Sequence, residues 1–183
     1  MSLTETPICN FGEKAKYFEL IGIDNKIHKL DDLKGKNGTL IMFICNHCPY
    51  VKAVINDIVL DAHFLAKKGI KSVAIMSNDT KKYPEDSFKN MIEFSEINNF
   101  SFPYLYDENQ NVAKDFGAVC TPDFFGYNNK LELQYRGRIK KLKNLKPLNS
   151  TESELKNAMT QIASSGKGPE VQFPSMGCNI KWI

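Results

Sequence analysis

The sequence predicts an α/β fold, a central mixed sheet flanked by helices, and three observations carry that expectation. Residues 39–44 are a continuous apolar run bounded by turn signals, residues 49–68 repeat apolar side chains at helical spacing, and residues 70–76 are a second apolar run. A short apolar run between turns reads as a central buried strand. A strand, a helix and a second strand in this order lie parallel through a right-handed crossover. The chain has 183 residues, 42% of them hydrophobic and 25% charged. At ~100 to 200 residues per domain, residues 1–183 are expected to form one domain, with residues 165–183 as a C-terminal tail.

The elements follow in order. Residues 17–23 and 27–30 alternate or cluster apolar groups around the turn Asp24-Asn25-Lys26, giving an N-terminal β-hairpin. In residues 49–68, Val51, Val54, Ile55, Ile58, Ala62, Leu65 and Ala66 form one apolar helix face, and Gly69 is placed to stop the helix. Residues 79–84 read as a loop and 85–97 as a helix carrying Phe88, Met91, Ile92 and Phe94. A short strand at 104–106 and a short helix at 109–116, ended by Gly117, come next. Residues 123–127 and 131–135 are strands around Asn128-Asn129-Lys130. The last helix covers 152–164, capped by Ser150 or Thr151, and a Gly/Pro-punctuated tail ends the chain.

Composition excludes several function classes. The longest apolar run, Leu40 to Cys45, has six residues, far below the ~18 or more that span a bilayer, so no membrane partner is expected. Residues 1–14 have neither the basic region nor the apolar region of a secretory signal, so a cytoplasmic location is expected. The net charge is +3, and arginine occurs only at Arg136 and Arg138. Base recognition leans on arginine, so no nucleic-acid partner is expected.

Five cysteines remain to be explained: Cys9, Cys45, Cys48, Cys120 and Cys178. A chain of this size needs no disulfide staples, and reducing compartments keep thiols for redox chemistry, metal binding or packing. Cys45-Asn46-His47-Cys48 is a C-x-x-C at the junction of a buried strand and a helix start. Unpaired amides and the positive end of the dipole there stabilise a thiolate. A second thiol three residues on can attack a mixed disulfide. These spacings assign Cys45 as nucleophile and Cys48 as resolving thiol. Downstream, Thr121-Pro122 stands just before an apolar strand.

At these residues the chain resembles the thioredoxin fold, and more closely the peroxiredoxin-like AhpC/TSA and redoxin branch of that superfamily. The matching segments are Phe43 to Lys52, Ser77-Asn78-Asp79, Tyr83-Pro84-Glu85-Asp86, Phe102 to Asp107, Gly117 to Phe125, Tyr135-Arg136-Gly137-Arg138 and Gly177 to Trp182. The resemblance implies a cis peptide bond at Pro122, with Thr121 hydrogen-bonding a bound extended chain. It implies a thiol-disulfide oxidoreductase whose partners are protein or small-molecule disulfides and a cellular thiol reductant, with no cofactor and no metal.

Departures sharpen that implication. Peroxiredoxins carry a hydroxyl residue three before the peroxidatic cysteine, where this chain has Met42, so an antioxidant peroxidase reaction at Cys45 is the alternative activity. Thioredoxins place a buried aspartate six residues before the first cysteine, where this chain has Thr39. His47 occupies the position held by histidine in strongly oxidising DsbA-type proteins. That implies a Cys45 pKa below ~7 and a pair more oxidising than about −270 mV.

A metal-binding or redox-sensing module is the rival reading, using Cys45, His47, Cys48 and Cys120 with Cys178 in reserve. Cys120 and Cys178 are accessory thiol candidates, a Cys120–Cys178 disulfide among the alternatives, while Cys9 reads as structural. His28 and His63 have no partner in sequence, and Trp182 is expected to anchor the tail. Six basic and no acidic residues lie from Arg136 to Lys146, which reads as a solvated loop or a contact for an acidic partner.

Overall fold

The apolar run at the middle of the crossover becomes the axis of a seven-stranded sheet. The structure is a computed structural model that describes residues 3–7, 9–147 and 152–183. In chain order its strands are β1 (Leu3–Glu5), β2 (Glu19–Gly22), β3 (Ile27–Lys29), β4 (Gly38–Phe43), β5 (Ile70–Met76), β6 (Tyr104–Tyr106), β7 (Cys120–Thr121), β8 (Asp123–Tyr127), β9 (Leu133–Arg136), β10 (Leu142–Lys143), β11 (Lys146–Pro147) and β12 (Met176–Asn179). Its helices are α1 (Leu30–Leu33), α2 (Pro49–Ala66), α3 (Phe88–Ile97), α4 (Asn111–Phe116) and α5 (Glu154–Ser165).

The main sheet has the order β3-β2-β6-β5-β4-β8-β9. β4, β5 and β6 run parallel, and the flanking pairs are antiparallel, so the sheet is mixed as expected. Successive side chains of a strand point to opposite faces. Leu40, Met42 and Ile44 therefore meet Val51, Val54, Ile58 and Leu65 of α2 and Met159 and Ile162 of α5. Ile41 and Phe43 face the other way, towards Val73, Phe116 and Phe125. Burying one such side chain contributes ~1.5–3 kcal/mol, and β4 is buried along its whole length. No helix among the described residues is long and apolar enough to cross a membrane.

α2 opens at Pro49, whose missing N–H costs nothing in a first turn. It ends just before Gly69, whose φ of +77° suits a residue without a Cβ. Residues 84–86 form a separate 3-10 turn ahead of α3, where the pattern predicted one continuous helix. Ser87 intervenes as the cap of α3, accepting from the Asn90 N–H. α5 starts at Glu154 with Ser153 as cap, two residues later than predicted. The candidate caps Ser150 and Thr151 lie outside the described residues.

Three expectations are corrected. The C-terminal segment is not all irregular: β12 is the middle strand of a second sheet, β1-β12-β7, antiparallel throughout. The basic stretch is solvated only in part, at Lys141, Lys143 and Lys146. Arg136 is buried against Asp123 at 2.9 Å, Arg138 pairs with Glu154 at 2.8 Å and Lys140 with Asp57 at 2.7 Å, while β10 and β11 form a hairpin. Trp182 is 40% exposed, with Lys114 over its ring, so the tail is held by the buried Ile180 and by the Ile183 N–H donating to Gln110. His28, without a partner in the sequence reading, contacts Asp24 at 3.0 Å.

Candidate active site

Cys45 and Cys48 sit where the end of β4 turns into α2, and Cys48 is the helix cap itself. Both are thiols, as are Cys9, Cys120 and Cys178. Across from them the Thr121-Pro122 bond is cis. The Thr121 hydroxyl lies 3.4 Å from Cys45 Sγ, and the Cys48 thiol donates to the Thr121 carbonyl at 3.1 Å. Both sulfurs are almost wholly buried, Cys45 1% and Cys48 0% exposed. The sheet thus brings together Cys45, Cys48, His47, Thr121 and Pro122 from two distant stretches of sequence.

The two sulfurs share one hydrogen bond but stand in different surroundings. Because α2 begins at Pro49, its unpaired amides serve Cys48, which receives the Val51 N–H. The Cys48 pKa is lowered by the hydrogen bond from Cys45, which together with the Thr121 side chain and the N–H groups of Val51 and Cys178 outweighs burial. The contact with the Thr121 carbonyl works the other way, since only a protonated thiol can donate to it. Cys45 is held well above the usual thiol range by its hydrogen bond to Cys48, by burial and by the Asp86 carboxylate. The expectation of an acidic Cys45 is therefore corrected.

Asp86 is the residue that sequence reasoning missed. Its fully buried carboxylate accepts from the Asn46 N–H at 2.8 Å, the His47 N–H at 3.3 Å and Asn78 Nδ2 at 2.8 Å, and it contacts His47 Nδ1 at 2.7 Å. Burial pushes this carboxyl up, but the bonds from His47, Asn78 and Asn46 prevail and hold it below its usual value. In return Asp86 raises the His47 pKa, against burial. The ring stacks on Tyr83 at 5.5 Å and 8°, and its Nε2 is buried with no hydrogen-bond partner among the described residues. Asn46 is fixed in turn by the Tyr104 hydroxyl at 3.0 Å. Paired with this carboxylate, the imidazole adds less net charge beside Cys45 than an unpaired one would. Tyr83-Pro84-Glu85-Asp86 was visible as a matching segment, but nothing local tied Asp86 to His47.

The remaining thiols divide. Cys120 is buried beside the Pro122 carbonyl at 3.7 Å, and burial pushes its pKa far up. Cys178 lies opposite Thr121 in the strand ladder and hydrogen-bonds Cys48. The predicted metal set is only partly assembled: Cys45 and His47 converge with Asp86, their candidate ligand atoms within 4.8 Å of one another, and Cys120 is not among them.

Comparison with known proteins decides the family. The AhpC/TSA family profile matches residues 11–142. The chain belongs to the AhpC/TSA family. Among curated proteins none matches it. Among solved structures, this AhpC/TSA protein resembles an uncharacterised conserved protein from Geobacillus kaustophilus, at 40% identity and a TM-score of 0.94, covering 100% of this chain and 97% of that one. A hypothetical protein from Sinorhizobium meliloti follows at 32% identity and 0.91, covering 98% of each chain. The thioredoxin domain of a thiol-disulfide oxidoreductase from Bacteroides vulgatus shares the fold at 13% identity and a TM-score of 0.60, over 70% of this chain and 89% of that one. The thioredoxin fold expected from the sequence is thus the fold observed.

Proposed function

We propose that this AhpC/TSA protein is a thiol-disulfide oxidoreductase working through the Cys45–Cys48 pair. The observation that carries the reading is the hydrogen-bonded dithiol set against Thr121, the residue before the cis Pro122. Cys48 is walled in by Cys45, the Thr121 carbonyl, the Val51 N–H and Cys178, which leaves Cys45 as the attacking sulfur. Cys45 attacks one sulfur of a substrate disulfide, and its proton goes to the substrate thiolate that departs. One substrate thiolate leaves, and a Cys45 mixed disulfide remains. Cys48 then attacks Cys45, its proton moving to the departing second thiolate, and the Cys45–Cys48 disulfide forms.

A cellular thiol reductant restores the dithiol, and a cytoplasmic setting fits that requirement. The His47–Asp86 pair positions the loop between the two cysteines. Reduction of insulin disulfides by the wild-type protein, lost in Cys45→Ser, is the expected result. No reduction by a folded wild-type protein contradicts the reading.

One observation favours peroxidase chemistry as a second reading: the Thr121 hydroxyl beside the enclosed Cys45 offers a small oxidant the hydroxyl that Met42 lacks. Consumption of hydrogen peroxide with a thiol reductant, outpacing insulin reduction, selects it.

A further inference from the structure

The strand that closes the dithiol pocket is the chain's own C-terminal segment. β12 runs antiparallel to β7, with Cys178 opposite Thr121 and Asn179 opposite Cys120. An extended substrate adding a strand by main-chain hydrogen bonds would need this same edge, and the edge is already filled. The fit is close. A Cβ on Gly177 would stand 2.0 Å from the Thr121 carbonyl oxygen, so only glycine allows the ladder to form. Ser175 Oγ donates to the Pro122 carbonyl at 2.6 Å, and Ser175 and Thr6 exchange hydrogen bonds at 3.0 and 3.1 Å. β1 covers the outer edge of β12.

Within this strap, Cys178 is 4% exposed, and both its N–H and its thiol hydrogen-bond Cys48. Three thiols therefore share one pocket, with Cys48 between Cys45 and Cys178. Resting on the dithiol reading above, we propose that Cys178 is a third redox thiol, which attacks Cys48 in the Cys45–Cys48 disulfide to give a Cys48–Cys178 disulfide and a Cys45 thiol. One S–S bond forms as one breaks, and the Cys178 proton goes to the departing Cys45 sulfur. The exchange is an internal isomerisation, neutral in electrons, that needs no outside oxidant. Its product staples β12 over the docking edge. The oxidised protein is then closed to a new substrate until two cellular thiol groups open the staple, becoming a disulfide themselves and giving their two protons to Cys48 and Cys178.

The test uses the wild-type full chain, oxidised with an equimolar amount of oxidised glutathione, acid-quenched, alkylated with iodoacetamide while unfolded and digested with trypsin. Residues 37–52 carry Cys45 and Cys48, and residues 168–181 carry Cys178, on separate tryptic peptides. The expected result is a cross-link between these peptides with the alkyl group on Cys45, together with loss of alkylation at Cys178. Cys45→Ser is expected to form the same cross-link, and Cys178→Ala to close residues 37–52 on themselves. A wild-type peptide 37–52 closed on itself with Cys178 fully alkylated overturns the third-thiol inference and leaves the dithiol reading intact. A cross-link through Cys45 also overturns it. Absence of every disulfide among the three, in folded protein, overturns both.

Discussion

The dithiol pocket has two walls of different construction. The inner wall is β4 and α2, from the middle of the chain, and it buries Ile41, Met42, Val51, Val54 and Ile58 almost completely. The outer wall is β12 backed by β1, from the two ends, where Leu3 is 56% and Met176 41% exposed and Gly177 has no side chain to bury. The inner wall is held by apolar burial at ~1.5–3 kcal/mol per side chain. The outer wall is held mostly by main-chain ladders worth ~0.5–1.5 kcal/mol net per bond. Elements with few buried apolar contacts open locally at lower free energy than the core. The contrast teaches that the thiols are positioned by the better-buried wall and covered by the wall with fewer buried apolar side chains.

Breaking the inner wall gives the largest expected effect. Ile58→Ala should cost ~2–5 kcal/mol of global stability in a denaturant titration. Asp86→Asn comes next, at ~1–3 kcal/mol near pH 6, because it weakens the buried contacts that fix the loop at His47. The pH dependence carries its sign. The Asp86 carboxyl is lowered, so its contribution is present above the ordinary carboxylate pKa and lost as pH falls through its folded value. His47 is raised, so its contribution is present below ~6.5 and lost as pH rises through its folded value. In Asp86→Asn the imidazole should titrate lower by NMR, and an unchanged His47 titration would break the assignment.

A smaller effect, and a gain, is expected at Asp61 of α2, beneath the α5 cap Ser153. Burial raises its pKa to about 6, so the folded state holds its proton more tightly and stability falls as pH rises from the unfolded value through 6. Asp61→Asn should stabilise the protein at pH 8 by ~1–2 kcal/mol and flatten that slope. Gly177→Val, which breaks the outer wall, should change global stability least, by ~1 kcal/mol. It should nevertheless speed Cys45 alkylation in the native state by about tenfold or more. Equal alkylation rates would remove the distinction between the walls.

What the sequence disclosed follows the same division. The bounds of β5 and β8 were read without error, because an apolar run between turn signals is local information. The C-x-x-C and Thr121-Pro122 were legible for the same reason. β12 was not, since Met176-Gly177-Cys178-Asn179 has no alternating pattern and pairs with Leu3 and Thr121 far away in sequence. Asp86 reads in sequence as one polar residue at the start of a helix, and only the approach of the β4–α2 turn gives it His47 as partner. The pattern locates a helix start without saying which sulfur its first amides reach, and the Val51 N–H reaches Cys48.

The order of attack, Cys45 first and Cys48 second, is the centre of this account, and trapping the mixed disulfide tests it most directly. Cys48→Ser, mixed as a full chain with 5,5′-dithiobis(2-nitrobenzoate), should hold a stoichiometric thionitrobenzoate adduct on Cys45, mapped to residues 37–52. An unmodified Cys45 in that variant, with the adduct found instead on Cys48 in Cys45→Ser, would contradict it.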